Sequence, residues 1–240
     1  MRGETHARPR NQAQPAAVGP QRRPLTPGVQ GRANCIYSAS TSLIPASISR
    51  SDCAGKRAMR IRRAEDDDAL ELSVLAERTF CAAFAASNST ANMQLHCAAS
   101  YGQALQLDEI RDPSRETWVA EANQRLVAYV QLRLDAVASV VIGARPVEIQ
   151  RFYVDASHHG TGLAHHLMAH VLARAEVAGS AELWLGVWER NPRALAFYRK
   201  WGFNVVGVHI FMLGDDRQRD LIMRRDVNPT PSTERIGDLV

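Results

Sequence analysis

The chain has 240 residues, 45% hydrophobic and 22% charged, which is room for one large domain or two small ones with a proper core. No stretch approaches the ~20 consecutive apolar residues of a membrane helix, which excludes a helical span. Cys35, Cys53, Cys81 and Cys97 form no C-x-x-C pair and no disulfide framework, so a reducing, cytoplasmic setting is expected. The net charge of +4 is unevenly spread: residues 1–58 hold nine of the 29 basic and two of the 25 acidic residues, so they carry +7 and the rest −3. The basic balance belongs to a tail and gives no reason to expect a nucleic-acid partner.

Residues 1–58 contain six of the eleven prolines and five of the fifteen glycines, with no sustained period of 2 or 3.6. Such a segment buries too little surface to offset its ordering entropy. A disordered extension, or a reading frame whose natural start is Met59, is expected there. The competing reading is a targeting peptide, which its Arg- and Ser-rich composition superficially matches.

From Met59 the pattern predicts a strand over about 59–63. The acidic run Asp66-Asp67-Asp68 then reads as the first turn of a helix carrying Leu70, Leu72, Val74, Leu75, Phe80 and Phe84. A second helix is expected over about 91–107. Strands over 116–122 and 125–134 are joined by the tight turn Asn123-Gln124, and a third follows at about 146–155. A helix over 161–178, a strand over 182–188 and a helix over 192–201 come next. Strands over 204–213 and 219–227 close the order around Gly214-Asp215-Asp216. The sum is one α/β domain over 59–228 with a largely antiparallel sheet, and 229–240 reads as a flexible tail.

Two segments carry chemistry. His158-His159-Gly160-Thr161-Gly162-Leu163-Ala164 lies between an apolar strand and an amphipathic helix. Two glycines allow a sharp turn, and the helix start offers unpaired N–H groups and a positive dipole end, which together make a phosphate cradle. A ligand-free glycine turn is the plain alternative. The dinucleotide fingerprint G-x-G-x-x-G competes, with Glu182 near the right distance, but its third glycine is His165. The second segment runs from Asn191 to Phe203. Asn191 at the N-cap, Pro192 at N1 and Gly202 at the end explain a short helix by themselves.

Taken together, the two segments resemble the acetyl-CoA elements of the GNAT acetyltransferase superfamily. The first follows Q/R-x-x-G-x-G/A, with His159 in place of Gln or Arg. The second follows N-x-x-A-x-x-F-Y-x-x-x-G-F at every fixed position. The resemblance spans about 59–227 and implies a single GNAT domain with a central mixed, mostly antiparallel sheet flanked by helices. It implies acetyl-CoA as co-substrate, with no metal, and a small-molecule amine as acceptor; a homodimer is compatible with it, a nucleic-acid or membrane partner is not called for. It places the pyrophosphate on His159, Gly160, Thr161, Gly162, Leu163 and Ala164, the pantetheine arm on the Val154 backbone, and a further polar contact at Asn191. Tyr198 becomes the acid for the departing thiolate. Glu148, six residues before Val154, becomes the base that takes the amine proton through water; otherwise it is an ordinary exposed strand residue.

Trp184-Leu185-Gly186-Val187-Trp188-Glu189 and the closing segment from Phe211 to Met223 resemble the PaiA-type spermidine/spermine N-acetyltransferases, as does Thr79-Phe80 with Phe84, Asn88 and Met93. Asn92 and His96 stand where that group suggests Asp and Tyr. A polyamine acceptor follows from this resemblance, with Glu189 and Asp220 as further carboxylates or as structural ion-pair partners. Other amines, such as a protein N-terminus, and a non-catalytic acyl-CoA-binding module are the alternatives. His166 and His170 have the i, i+4 spacing of zinc ligands, but no third ligand is evident, so they read as solvated helix positions. Direct attack by an amine requires no enzyme nucleophile, and neither Cys81 nor Cys97 has a visible activating partner.

Overall fold

The computed structural model describes residues 59–227; the expectations for 1–58 and 229–240 lie outside the described residues. Seven strands form one sheet: β1 (Arg60–Arg63), β2 (Arg115–Ala122), β3 (Arg125–Arg133), β4 (Val147–Val154), β5 (Glu182–Trp188), β6 (Asn204–Leu213) and β7 (Asp216–Asp226). Their spatial order is β1-β2-β3-β4-β5-β7-β6, and only the β4–β5 pair is parallel. The α4 helix (Leu163–Val177) and α5 helix (Pro192–Lys200) pack on one face; α1 (Ala69–Phe84), α2 (Thr90–Ser100) and α3 (Gln103–Arg111) cover the other. This is the expected single domain with a mixed sheet flanked by helices.

Local chemistry explains most elements. Leu72, Leu75, Ala76, Thr79 and Phe80 recur at helical spacing and are buried, giving α1 its inner stripe. Ser89 caps α2 by accepting from the Asn92 N–H at 3.3 Å. Asn123 and Gln124 take φ of 52° and 63°, the left-handed pair that a two-residue hairpin uses.

Several boundaries differ from the sequence reading. The helix expected over 91–107 is two helices, because Tyr101 is extended and Gly102 sits at φ 153°, ψ 149°. The break turns the Tyr101 ring into the core, 5.7 Å from Phe80. The acidic run is not simply a helix first turn. Asp68 takes a bidentate pair from Arg62 at 2.6 and 2.8 Å, and Asp66 pairs with Arg111 at 2.7 Å, so these carboxylates tie β1 and α3 to the helix start. The last strand begins at Asp216 rather than 219 because its register with β6 holds to Leu213↔Asp216.

Candidate active site

The β4–β5 pairing is short. It covers Val147↔Leu183 and Glu148↔Trp184, and toward their C-terminal ends the strands part. A crevice therefore opens in mid-sheet at the strand ends, the usual place for ligands in α/β sheets. At its mouth the chain leaves Val154, makes a short 3-10 turn over Ala156–His158, and enters α4 at Leu163. Gly162 has φ 86°, a conformation costly for other residues, and a Cβ there would meet nothing within 4 Å. The loop thus leaves open space before the first-turn N–H groups of α4. A pyrophosphate fits that geometry. The helix starts two residues later than expected, so Thr161 belongs to the cradle; its Oγ1 donates to the His158 carbonyl at 2.8 Å.

His159 does not do what a Gln or Arg would do. Its Nε2 donates to the Val154 carbonyl at 2.9 Å, folding the imidazole back on the strand end. Burial lowers its pKa, so the ring is held neutral. The carbonyl of Val154, whose backbone is expected to hold the pantetheine arm, is engaged by this ring. A cavity of about 150 Å³ lies beside it, lined by Arg78, Thr79, Val154, Asp155 and His159 among others. Arg78 pairs with Asp155 at its edge, a cation that no local motif announced.

Asn191 caps α5, its Oδ1 accepting from the Ala194 N–H at 3.1 Å. Tyr198 is fully buried, its ring 5.7 Å from Phe203 and 6.5 Å from Phe152. Tyr198 packs in the core on the α4–α5 face and Glu148 lies on the opposite face of the sheet, at the last residue pair before β4 and β5 part.

Glu148 is not an exposed strand residue. It is 5% exposed, and Arg133 on β3 donates to its Oε2 at 2.9 Å. Burial raises its pKa against the pull of Arg133, which suits a carboxylate that must take up a proton. Deeper on the same face, Arg151 is 2% exposed and is held by Glu109 and by Gln131 at 3.0 Å, with its guanidinium 5.6 Å from the Tyr101 ring. Asp220 is wholly buried beside His209, and Glu189 lies 3.6 Å from Arg219. Glu189 and Arg219 belong to a polar cavity of about 250 Å³ that also takes in Trp188, Arg190, Arg217 and Gln218.

The remaining expectations resolve simply. His96 is buried, stacked on Phe80 at 4.4 Å, and Asn92 accepts from the Asp215 N–H at 3.2 Å; both brace α2 against β6. Glu182 is spent on Arg224 at 3.1 Å, which removes the dinucleotide reading's acidic residue. His170 is not solvated: its ring lies 4.3 Å from Trp118, and burial lowers its pKa. Among the described residues no group of three or more His, Cys, Asp or Glu gathers to hold a metal, and no helix is long and apolar enough to cross a membrane.

The model of the acetyltransferase (GNAT) family matches residues 81–203, half of the chain. This chain belongs to that family. An uncharacterized N-acetyltransferase of Mycobacterium tuberculosis is 34% identical over 160 residues, 67% of this chain and 98% of the relative. Another, from Lactobacillus delbrueckii subsp. lactis, is 26% identical over 167 residues, 70% of this chain and 96% of the relative. Among solved structures, the PaiA N-acetyltransferase from Thermoplasma acidophilum in complex with coenzyme A superposes with a TM-score of 0.58 at 20% identity, covering 70% of this chain and 99% of that one. That likeness extends over the GNAT fold. The protein is thus an acetyl-CoA-dependent N-acetyltransferase.

Proposed function

We propose that the chain transfers the acetyl group of acetyl-CoA to a primary amine of a polyamine such as spermidine or spermine, by direct attack. The observation that carries the acceptor class is the pair of buried carboxylates on the α1–α3 face, Glu148 at 5% and Asp220 at 0% exposure. Carboxylates kept in so dry a setting favour a cationic ligand strongly. The acceptor nitrogen forms a bond to the thioester carbon and the C–S bond breaks. An alkylammonium with pKa near ~10.4 is about three units from its reactive form at neutral pH, roughly 4 kcal/mol. Glu148 takes the proton through water. Tyr198 protonates the departing thiolate, while the loop from His159 to Ala164, with Val154 and Asn191, holds the cofactor.

A second reading is favoured by Arg190, Arg217 and Arg219 around the neighbouring cavity: an amine that also carries a carboxylate, such as a peptide with a free N-terminus. One assay separates the two. Thiol release from acetyl-CoA is followed with spermidine, spermine, simple monoamines, amino acids and short peptides. Polyamines should exceed monoamines in kcat/KM, and salt should raise their KM by screening. Glu148→Gln should depress kcat/KM most at low pH, where neutral amine is scarcest. Peptides turning over better than polyamines would move the assignment to the second reading.

A further inference from the structure

His209 starts on the edge strand β6, and its imidazole reaches across β7 to lie over Gly186 of β5. A Cβ built on Gly186 would stand 2.8 Å from its Cε1 and 3.1 Å from its Nε2, so any other residue at 186 would displace the ring. Directly opposite His209 in the strand register is Asp220, whose Oδ2 lies 3.7 Å from Nε2. That nitrogen is buried and makes no hydrogen bond among the described residues, yet the side chain as a whole is 25% exposed. One edge of the ring therefore looks into the protein and another toward solvent.

The inward edge faces the crevice. Gly186 is two residues beyond Trp184, the β5 partner of Glu148 and the last residue of the β4–β5 pairing, so it lies where the two strands begin to part. The imidazole thus lies over the strand next to that of Glu148. The carboxylate across from it is Asp220 on β7, and the strand beyond β5 carries Glu148, paired with Arg133.

Proton accounting gives this arrangement a task. An ammonium that becomes an amide loses two protons. One ends on the thiol by way of Tyr198, and the other must reach solvent in every turnover. Glu148 is 5% exposed and Arg133 donates to its Oε2, which leaves it little contact with bulk water of its own. We propose that His209 receives this proton from Glu148 and releases it to bulk water, with the Asp220 carboxylate stabilising the imidazolium in between. This rests on the acetyl-transfer reading above. Imidazole suits the step because one ring nitrogen can accept a proton while the other gives one up.

The test uses the full chain with acetyl-CoA and spermidine, or the best amine of the panel, across pH 6 to 9. His209→Ala should lower kcat by roughly tenfold or more while acetyl-CoA affinity stays put. Free imidazole in the buffer should restore much of the lost rate, which a merely structural role would not allow. Gly186→Ala removes no polar group but should lower kcat by pushing the ring off its place. His209→Gln, compared by thermal melting, controls for folding. Retention of kcat within about twofold in His209→Ala over the whole pH range would overturn the relay. So would a loss that imidazole leaves unrepaired while His209→Gln melts like the unaltered protein. Failure of the underlying reading looks different: the unaltered protein would bind acetyl-CoA by calorimetry and release no thiol with any amine, and the relay would fall with it.

Discussion

The two faces of the sheet are built on different principles. Toward α4 and α5 the core is almost entirely apolar: Ile149, Phe152, Leu163, Leu167, Leu185 and Phe203 meet with hardly a polar atom among them. Toward α1–α3 the aromatic cluster around Phe80, Phe84, Tyr129 and Tyr153 is interleaved with Arg151, Gln131, Thr117, Glu148 and Asp220, all buried. Burial of hydrocarbon stabilises at about 25 cal/mol per Å² and asks for no partner, whereas every buried charge must be answered by another. The first face therefore holds the fold, and the second face holds charge in a dry place, where charge–charge interactions are strong. The crevice between β4 and β5 is the seam at which they meet.

Substitutions at three sites probe that contrast, and the largest effect falls on the seam. Gly162→Glu puts a carboxylate into the space before the α4 N-terminus, so acetyl-CoA affinity by calorimetry should fall by roughly a hundredfold or more. Gly162→Ala, which keeps the strain of positive φ but adds no charge, should do much less; equal losses would mean that loop geometry alone is responsible. Next comes the polar face. Arg151→Leu takes away the partner closest to Glu109 and leaves it Arg115 at 3.6 Å and Gln131 at 3.3 Å, so unfolding by urea should show a loss of about 2 kcal/mol. Replacing both members by hydrophobic residues should recover much of that, whereas an unchanged midpoint in the single variant would show that Arg115 takes over as the partner of Glu109. The smallest stability effect should come from the apolar face. Tyr198→Phe keeps the ring packing and should leave the melting temperature almost unchanged, yet lower kcat by about tenfold with acetyl-CoA affinity intact. A drop in stability with no drop in kcat would return Tyr198 to the core as simple packing.

The same contrast explains which parts could be read in advance. On the apolar face each signal is local. The cap, proline and terminal glycine of α5 lie within one short run, as do the two glycines before α4, so the loop and both helices were legible from residue order. On the polar face the informative contacts join distant residues. Arg151 meets Glu109 from 42 positions away, Arg133 meets Glu148 across a hairpin with a long loop, and nothing near residue 209 marks it for a place over Gly186. Glu148 was picked out by its place relative to Val154, but its burial and its arginine were not visible there. His159 could be seen as a departure from the motif; that its ring turns back to the Val154 carbonyl could not.

The amino-acid order thus determined most of the elements and the glycine turn before α4, because helix caps, glycine turns and amphipathic periods act over a few residues, while the type of reaction came from the resemblance to the acetyltransferase family. Only the tertiary structure decided where β4 and β5 part, which charges are buried together, and which imidazole stands beside the crevice. Those outcomes depend on strand register and on side chains meeting across the sheet, and a contact between residues dozens of positions apart has no period or spacing in the chain to announce it.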